Sequence, residues 1–190
     1  MEQGSLMGTV LVIIVIVVVV LAIYAVATFN GLVRLRNRVE NAWAQIDVQL
    51  KRRLDLIPNL VETVKGAANF EKSTLEQVVA ARNAGLAANT PKQEAAADNQ
   101  ITGALRQLFA LSESYPDLKA NQSYLALQEE LTATEGRIAY ARQFYNDGVL
   151  KYNTKIEQFP SSIVAKVKGY EAREYFEAEE SAREVPKVQF

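Results

Sequence analysis

The chain has 190 residues, with 21 Lys and Arg against 22 Asp and Glu, a formal net charge of −1. Nothing in that balance points to nucleic acid. Cys and His are both absent, which excludes disulfides, thiol nucleophiles, Cys- or His-based zinc sites and Ser-His-Asp triads. Lysine or carboxylate chemistry survives this filter; most familiar enzyme types do not.

The first element is a membrane span. No charged residue occurs between positions 3 and 33, and residues 10–21 are unbroken Val, Leu and Ile. Crossing about 30 Å of hydrocarbon takes roughly 20 apolar residues; residues 6–29 supply 24, with Leu6, Val10, Val15, Val20, Tyr24 and Phe29 marking its length. Tyr24 and Phe29 fall where interfacial aromatics sit. Ala25-Val26-Ala27 is similar to a signal-peptidase site, but the n-region carries only Glu2 and the apolar run is long for a cleaved leader. Arg34, Arg36, Arg38, Lys51, Arg52 and Arg53 follow the span. By the positive-inside rule they place the soluble part in the cytoplasm and the N-terminus outside, a periplasmic soluble part being the alternative.

Beyond the span the pattern is helical, without period-two alternation. Leu35, Val39, Ala42, Ile46, Leu50, Leu54 and Ile57 form one apolar face, expected to continue directly from the span. Pro58 removes an N–H, so a kink or restart is expected there, with Asp55 as the cap. Further helices are expected over 73–88, with Leu75, Val78, Val79 and Arg82 marking its turns, and over 92–114. Asn89-Thr90-Pro91 forms a loop between them. Then Tyr124, Leu127, Leu131, Thr134, Ile138, Ala141 and Tyr145 step by threes and fours, Gly148 and Tyr152 extend the row, and Ile156 and Phe159 follow with a slight phase shift, a heptad-like seam about 36 residues long. Pro160 stops it. Residues 161–170 make a short basic amphipathic piece, with Lys166 and Lys168 beside Ile163, Val164 and Val167. It suits bundle packing or the membrane surface. The tail beyond is acidic, with Glu171, Glu174, Glu177, Glu179, Glu180 and Glu184. The fold expected is all-α: an N-terminal transmembrane helix (1–29) continuing into an elongated antiparallel helical bundle (30–170), then a tail (171–190).

Two residue sets are candidate sites. Arg53, beside Gln49 on the apolar face, needs a partner if buried, and Glu135 or Glu130 on the seam helix would serve. Arg142, Tyr145, Asn146 and Asn153 form a polar ladder, expected to bond across to the first helix or cap a helix end. Either set makes a binding patch or, as polar seam residues commonly do, fixes bundle register. Glu129, Glu130 and Glu135 lack the histidines of a di-iron bundle. No cofactor or metal is expected.

The run Trp43, Gln45, Asp47, Gln49, Arg52, Arg53, Asp55 and Pro58, followed by Val64-Lys65-Gly66, resembles the leading signature of the LemA family. Glu135, Arg142, Tyr145-Asn146, Asn153, Phe159-Pro160, Glu174-Tyr175-Phe176-Glu177 and Pro186-Lys187-Val188 fall in that family's order. The resemblance implies a bacterial inner-membrane protein with a helical bundle and no established enzymatic activity. Some relatives carry a lipoprotein-type Cys instead of a span. The function expected is a non-enzymatic scaffold that self-associates or recruits a membrane-protein partner, without a small-molecule substrate. The alternatives are a membrane-remodelling ring or cage and an accessory subunit of a membrane protease.

Overall fold

The computed structural model describes residues 2–66 and 71–176, with side chains from residue 7 onward. The Leu6 side chain, the tail acids Glu177, Glu179, Glu180 and Glu184, and Pro186-Lys187-Val188 lie outside those residues. Every described element is helical, in the order α1 (Glu2–Lys65), α2 (Lys72–Ala87), α3 (Pro91–Ser112), α4 (Pro116–Lys119), α5 (Gln122–Glu157) and α6 (Ser161–Val167). The all-α class expected from periodicity is the class observed. The chain divides into two compact units, one of Met1–Glu40 with Gly148–Arg173, the other of Asn41–Asp147 with Glu174–Phe190. Helices α1 and α5 contribute residues to both.

In the first unit, α1 shows its apolar surface outward from Met7 to Ala27. These 21 residues rise about 31 Å at 1.5 Å each, the thickness of a bilayer core. Among the described residues, α1 is the helix long and apolar enough to cross a membrane. The exposure ends abruptly, with Thr28 and Leu32 buried. Among the described residues, Val39 of α1, Gly148, Val149, Tyr152 and Ile156 of α5, and Ser161 and Ala165 of α6 are the unit's other buried residues. Ser161 Oγ, just past the cis Phe159–Pro160 peptide, lies 2.7 and 2.8 Å from the Lys155 and Gln158 carbonyls at the end of α5. Helix α6 ends in a Schellman turn. Tyr170 N–H donates to the Ala165 carbonyl (3.0 Å) and Gly169 N–H to that of Lys166 (3.2 Å). The turn needs a left-handed residue, and Gly169 supplies it at φ +67°.

The second unit holds the main core. Leu54, Ile57, Leu60, Val61 and Val64 of α1 pack with Leu75 and Val78 of α2, Ile101, Leu105 and Leu108 of α3, and Tyr124 and Leu131 of α5. The α2–α3 hairpin turns where Thr90 caps α3. Thr90 Oγ1 accepts from Gln93 N–H (3.2 Å), and Gln93 reaches back to Asn89 N–H (3.0 Å). Pro91 takes the first-turn position that needs no donor. Asn121 caps α5 the same way, accepting from the N–H groups of Ser123 and Tyr124.

One expectation is corrected. Helix α1 does not restart at Pro58, and Asp55 does not cap a new helix; Pro58 lies inside α1 and Asp55 is exposed. A proline at 58 leaves the Leu54 carbonyl without its helical donor. Arg82 of α2 replaces it, its Nε donating to that carbonyl at 3.0 Å. Close approach helps, because a Cβ on Gly85, one turn along α2, would come within 2.8 Å of the Leu54 side chain. Tertiary structure supplies the hydrogen bond that the local sequence removed.

Candidate functional site

The site grows from a cation on an apolar stripe. Arg53 follows Ile46 and Leu50 and precedes Ile57 on the buried face of α1, and its side chain is only 1% exposed. A guanidinium so placed needs a counter-charge. Its Nη1 donates to Asp98 Oδ1 of α3 at 2.6 Å. Glu135 of α5 stands at 3.7 Å from Nη2 and is half exposed. Glu130 pairs instead with Arg52 at 2.7 Å and Arg137 at 3.2 Å. Asp98 is thus the principal partner, and the sequence reading did not name it. The signal was there: Asp98, Ile101, Leu105, Leu108 and Ser112 step by 3, 4, 3 and 4 and are all buried, which puts an acid on a core stripe.

Burial pushes the Asp98 carboxyl above its ordinary range, and the Arg53 charge and hydrogen bond work against that push. Glu135 raises it further, whereas Arg142 lowers it. The contest is the usual one for a buried pair, in which desolvation rivals attraction.

Arg53 and Asp98 line a cavity of about 140 Å³ with Asp47, Lys51 and Glu94 on its polar side and Leu50, Leu54 and Ile101 on its apolar side. Nε and Nη2 of Arg53 and Oε2 of Glu94 are buried without hydrogen-bond partners. Burial also raises the Glu94 carboxyl, aided by Asp47 and opposed by Lys51. Asp47 itself is bound to Lys51 at 2.7 Å. Among the described residues no group of three or more His, Cys, Asp or Glu is placed to hold a metal ion.

A wider groove of about 700 Å³ runs between α1 and α5 in this unit, lined by Ala44, Gln45, Val48 and Gln49 on one side and Ala133, Gly136, Arg137, Tyr140 and Ala141 on the other. Small residues (Ala44, Ala133, Gly136 and Ala141) make up much of its lining, and Tyr140 (76%) and Val48 (59%) among the lining residues are exposed. The buried Gln49 Oε1 has no hydrogen-bond partner.

Three of the four ladder residues on α5 serve a different element from the one expected: Tyr145, Asn146 and Asn153 hydrogen-bond the backbone of the extended C-terminal segment, whereas Arg142 acts on Asp98. In the second unit Asn146 pairs with both backbone groups of Phe176, each at 2.9 Å, and Tyr145 OH donates to the Glu174 carbonyl at 2.8 Å. Phe176 is fully buried beside Trp43, whose ring also lies 5.3 Å from that of Tyr145. In the first unit Asn153 does the same for Arg173, at 2.9 and 3.0 Å. A carboxamide carries one donor edge and one acceptor, so it imitates a neighbouring strand and satisfies a segment with no sheet of its own.

A LemA family model matches residues 42–190, well over half of the chain. The chain belongs to the LemA family. It is 31% identical over 141 residues to protein LemA of Metamycoplasma hominis, an alignment spanning 72% of this chain and 63% of that protein. It is 25% identical over 184 residues to magnetosome protein MamQ 2 of Paramagnetospirillum magneticum (83% and 67%). It is 24% identical over 174 residues to magnetosome protein MamQ of Magnetospirillum gryphiswaldense (78% and 64%). The chain therefore spans about two thirds of the length of these relatives. Family membership and the apolar surface of α1 together make it a membrane-associated protein.

Proposed function

We propose that the chain is a non-enzymatic scaffold of the bacterial inner membrane that binds a second copy or a membrane-protein partner. The observation that carries the reading is the groove between α1 and α5. A groove lined by small residues together with the exposed Tyr140 and Val48 suits a partner that inserts its own side chains, as interface centres do. The α1 that walls this groove also carries the apolar segment, without an intervening loop. Arg34, Arg36 and Arg38 follow that segment directly, which supports a cytoplasmic soluble part under the positive-inside rule.

Similarity to the MamQ magnetosome proteins favours one variant of this reading, in which copies assemble to shape the membrane. Both versions are tested by placing a photocrosslinking side chain at Tyr140 in native membranes. A discrete adduct, lost when Gly136→Leu fills the groove, supports docking there. A chain that runs as a monomer and yields no adduct overturns it.

A further inference from the structure

We infer that the unit of Met1–Glu40 and Gly148–Arg173 touches the bilayer twice, through α1 and through the outer face of α6, which binds an anionic lipid surface. This rests on α1 spanning the membrane and not on the scaffold reading.

The exposed apolar surface of α1 ends at Ala27, and Phe29 lies two residues on. The end of α6 sits beside Phe29: Lys168 Nζ is 5.4 Å from the centroid of its ring, and the Tyr170 ring is 6.5 Å away. The Gly169 turn makes this possible by folding Tyr170 back onto Phe29 and Tyr152. Helix α6 is therefore held at the depth where hydrocarbon gives way to headgroups.

Its two faces differ sharply. Ser161 and Ala165, four residues apart, are buried in the unit. Ile163 and Val167 project about 200° away at 100° per residue, and are 56% and 78% exposed. Phe159, just before the helix, is 77% exposed. An apolar row this open suits acyl chains better than water.

Charge selects the surface. Lys166 and Lys168 flank the row, and this unit holds eight Lys and Arg against four Asp and Glu, a net of +4 in a chain that totals −1. Juxtamembrane Lys and Arg each strengthen attachment to an anionic leaflet about fivefold. Short length is no obstacle, because α1 already holds α6 at the surface and the second contact is made within one molecule.

The chain has no cysteine, so single sites can be labelled cleanly. Nitroxides would be placed on full-length protein at Ile163→Cys, Val167→Cys, Val15→Cys and, as an exposed reference outside the groove, Lys72→Cys (side chain 88% exposed), in vesicles of phosphatidylcholine with or without 30% phosphatidylglycerol. The expected result is that labels at 163 and 167 are shielded from a water-soluble relaxant and reached by oxygen. Shielding should be stronger with phosphatidylglycerol and should weaken about fivefold or more in the Lys166→Glu/Lys168→Glu variant. Labels at 163 and 167 as open to the aqueous relaxant as the one at 72 would overturn the inference. So would equal shielding in neutral vesicles, or shielding that rises with protein density, which means contact between copies. A label at 15 exposed to water would instead refute the span itself.

Discussion

The two units divide the same helices but are held in different ways. The second unit is acidic overall, with thirteen Lys and Arg against eighteen Asp and Glu. It is tied together through buried and half-buried polar contacts: Arg53 to Asp98 and Tyr124 OH to Ser112 at 2.6 Å are buried, and Arg82 to Leu54 and Asn146 to Phe176 are half-buried. The first unit is basic and relies on contacts nearer its surface, among them Phe29, Tyr152 and Tyr170 with Arg36 and Lys168 above the rings. Arg173 and Glu40 add an ion pair at 3.2 Å, both about half exposed. The contrast teaches that a unit beside a bilayer can leave apolar surface open and draw on lipid. The second unit leans instead on internal polar pairs such as Arg53 with Asp98, and a single truncation there has large consequences.

The largest effect is expected at Arg53. Arg53→Met leaves Asp98 buried and unpaired, costing about 3–5 kcal/mol, whereas Arg53→Met with Asp98→Leu should recover most of that loss. Urea unfolding in detergent followed by circular dichroism measures both; strictly additive losses would show that the pair is not a coupled unit. Next comes Asn146→Ala, which removes both bonds to Phe176 and should cost about 1–3 kcal/mol. Hydrogen exchange should show that loss as local opening around Phe176 rather than global unfolding. Arg82→Ala should cost about 1–3 kcal/mol, and distinctly less when Pro58→Ala restores the N–H that Leu54 lacks. An unchanged penalty in that background would refute the substitution of one donor for another. In the first unit, Gly169→Ala should cost only about 1–2 kcal/mol through the left-handed turn, with Gly169→Asn milder; a larger loss would break the comparison.

The pH dependence follows from Asp98 and Glu94, both held above their ordinary values by burial. Between the ordinary and the raised value, the folded state binds more protons than the unfolded chain. Their contribution to stability therefore falls as pH rises through that window. Asp98→Asn keeps an acceptor for Arg53 without titrating, so it should flatten this part of the profile. A profile that is unchanged assigns the slope elsewhere.

The sequence by itself determined what depends on composition and on one helical period. The apolar run to residue 29, the stripe from Val39 to Ile57 and the seam from Tyr124 to Tyr145 needed only about 20 apolar residues or steps of three and four, because burial of a face is written locally. Tertiary structure alone decided which polar group meets which. Pro58 looks like a helix stop until Arg82, twenty-four positions on, donates to the freed carbonyl. Asp98 reads as an ordinary helix acid until α3 brings it to Arg53. Asn146 and Asn153 read as a ladder toward another helix until the backbone groups of Phe176 and Arg173 meet their carboxamides. Such partners are distant in sequence and carry no periodic mark. Only the packed chain makes leaving them unpaired costly enough to select one pairing.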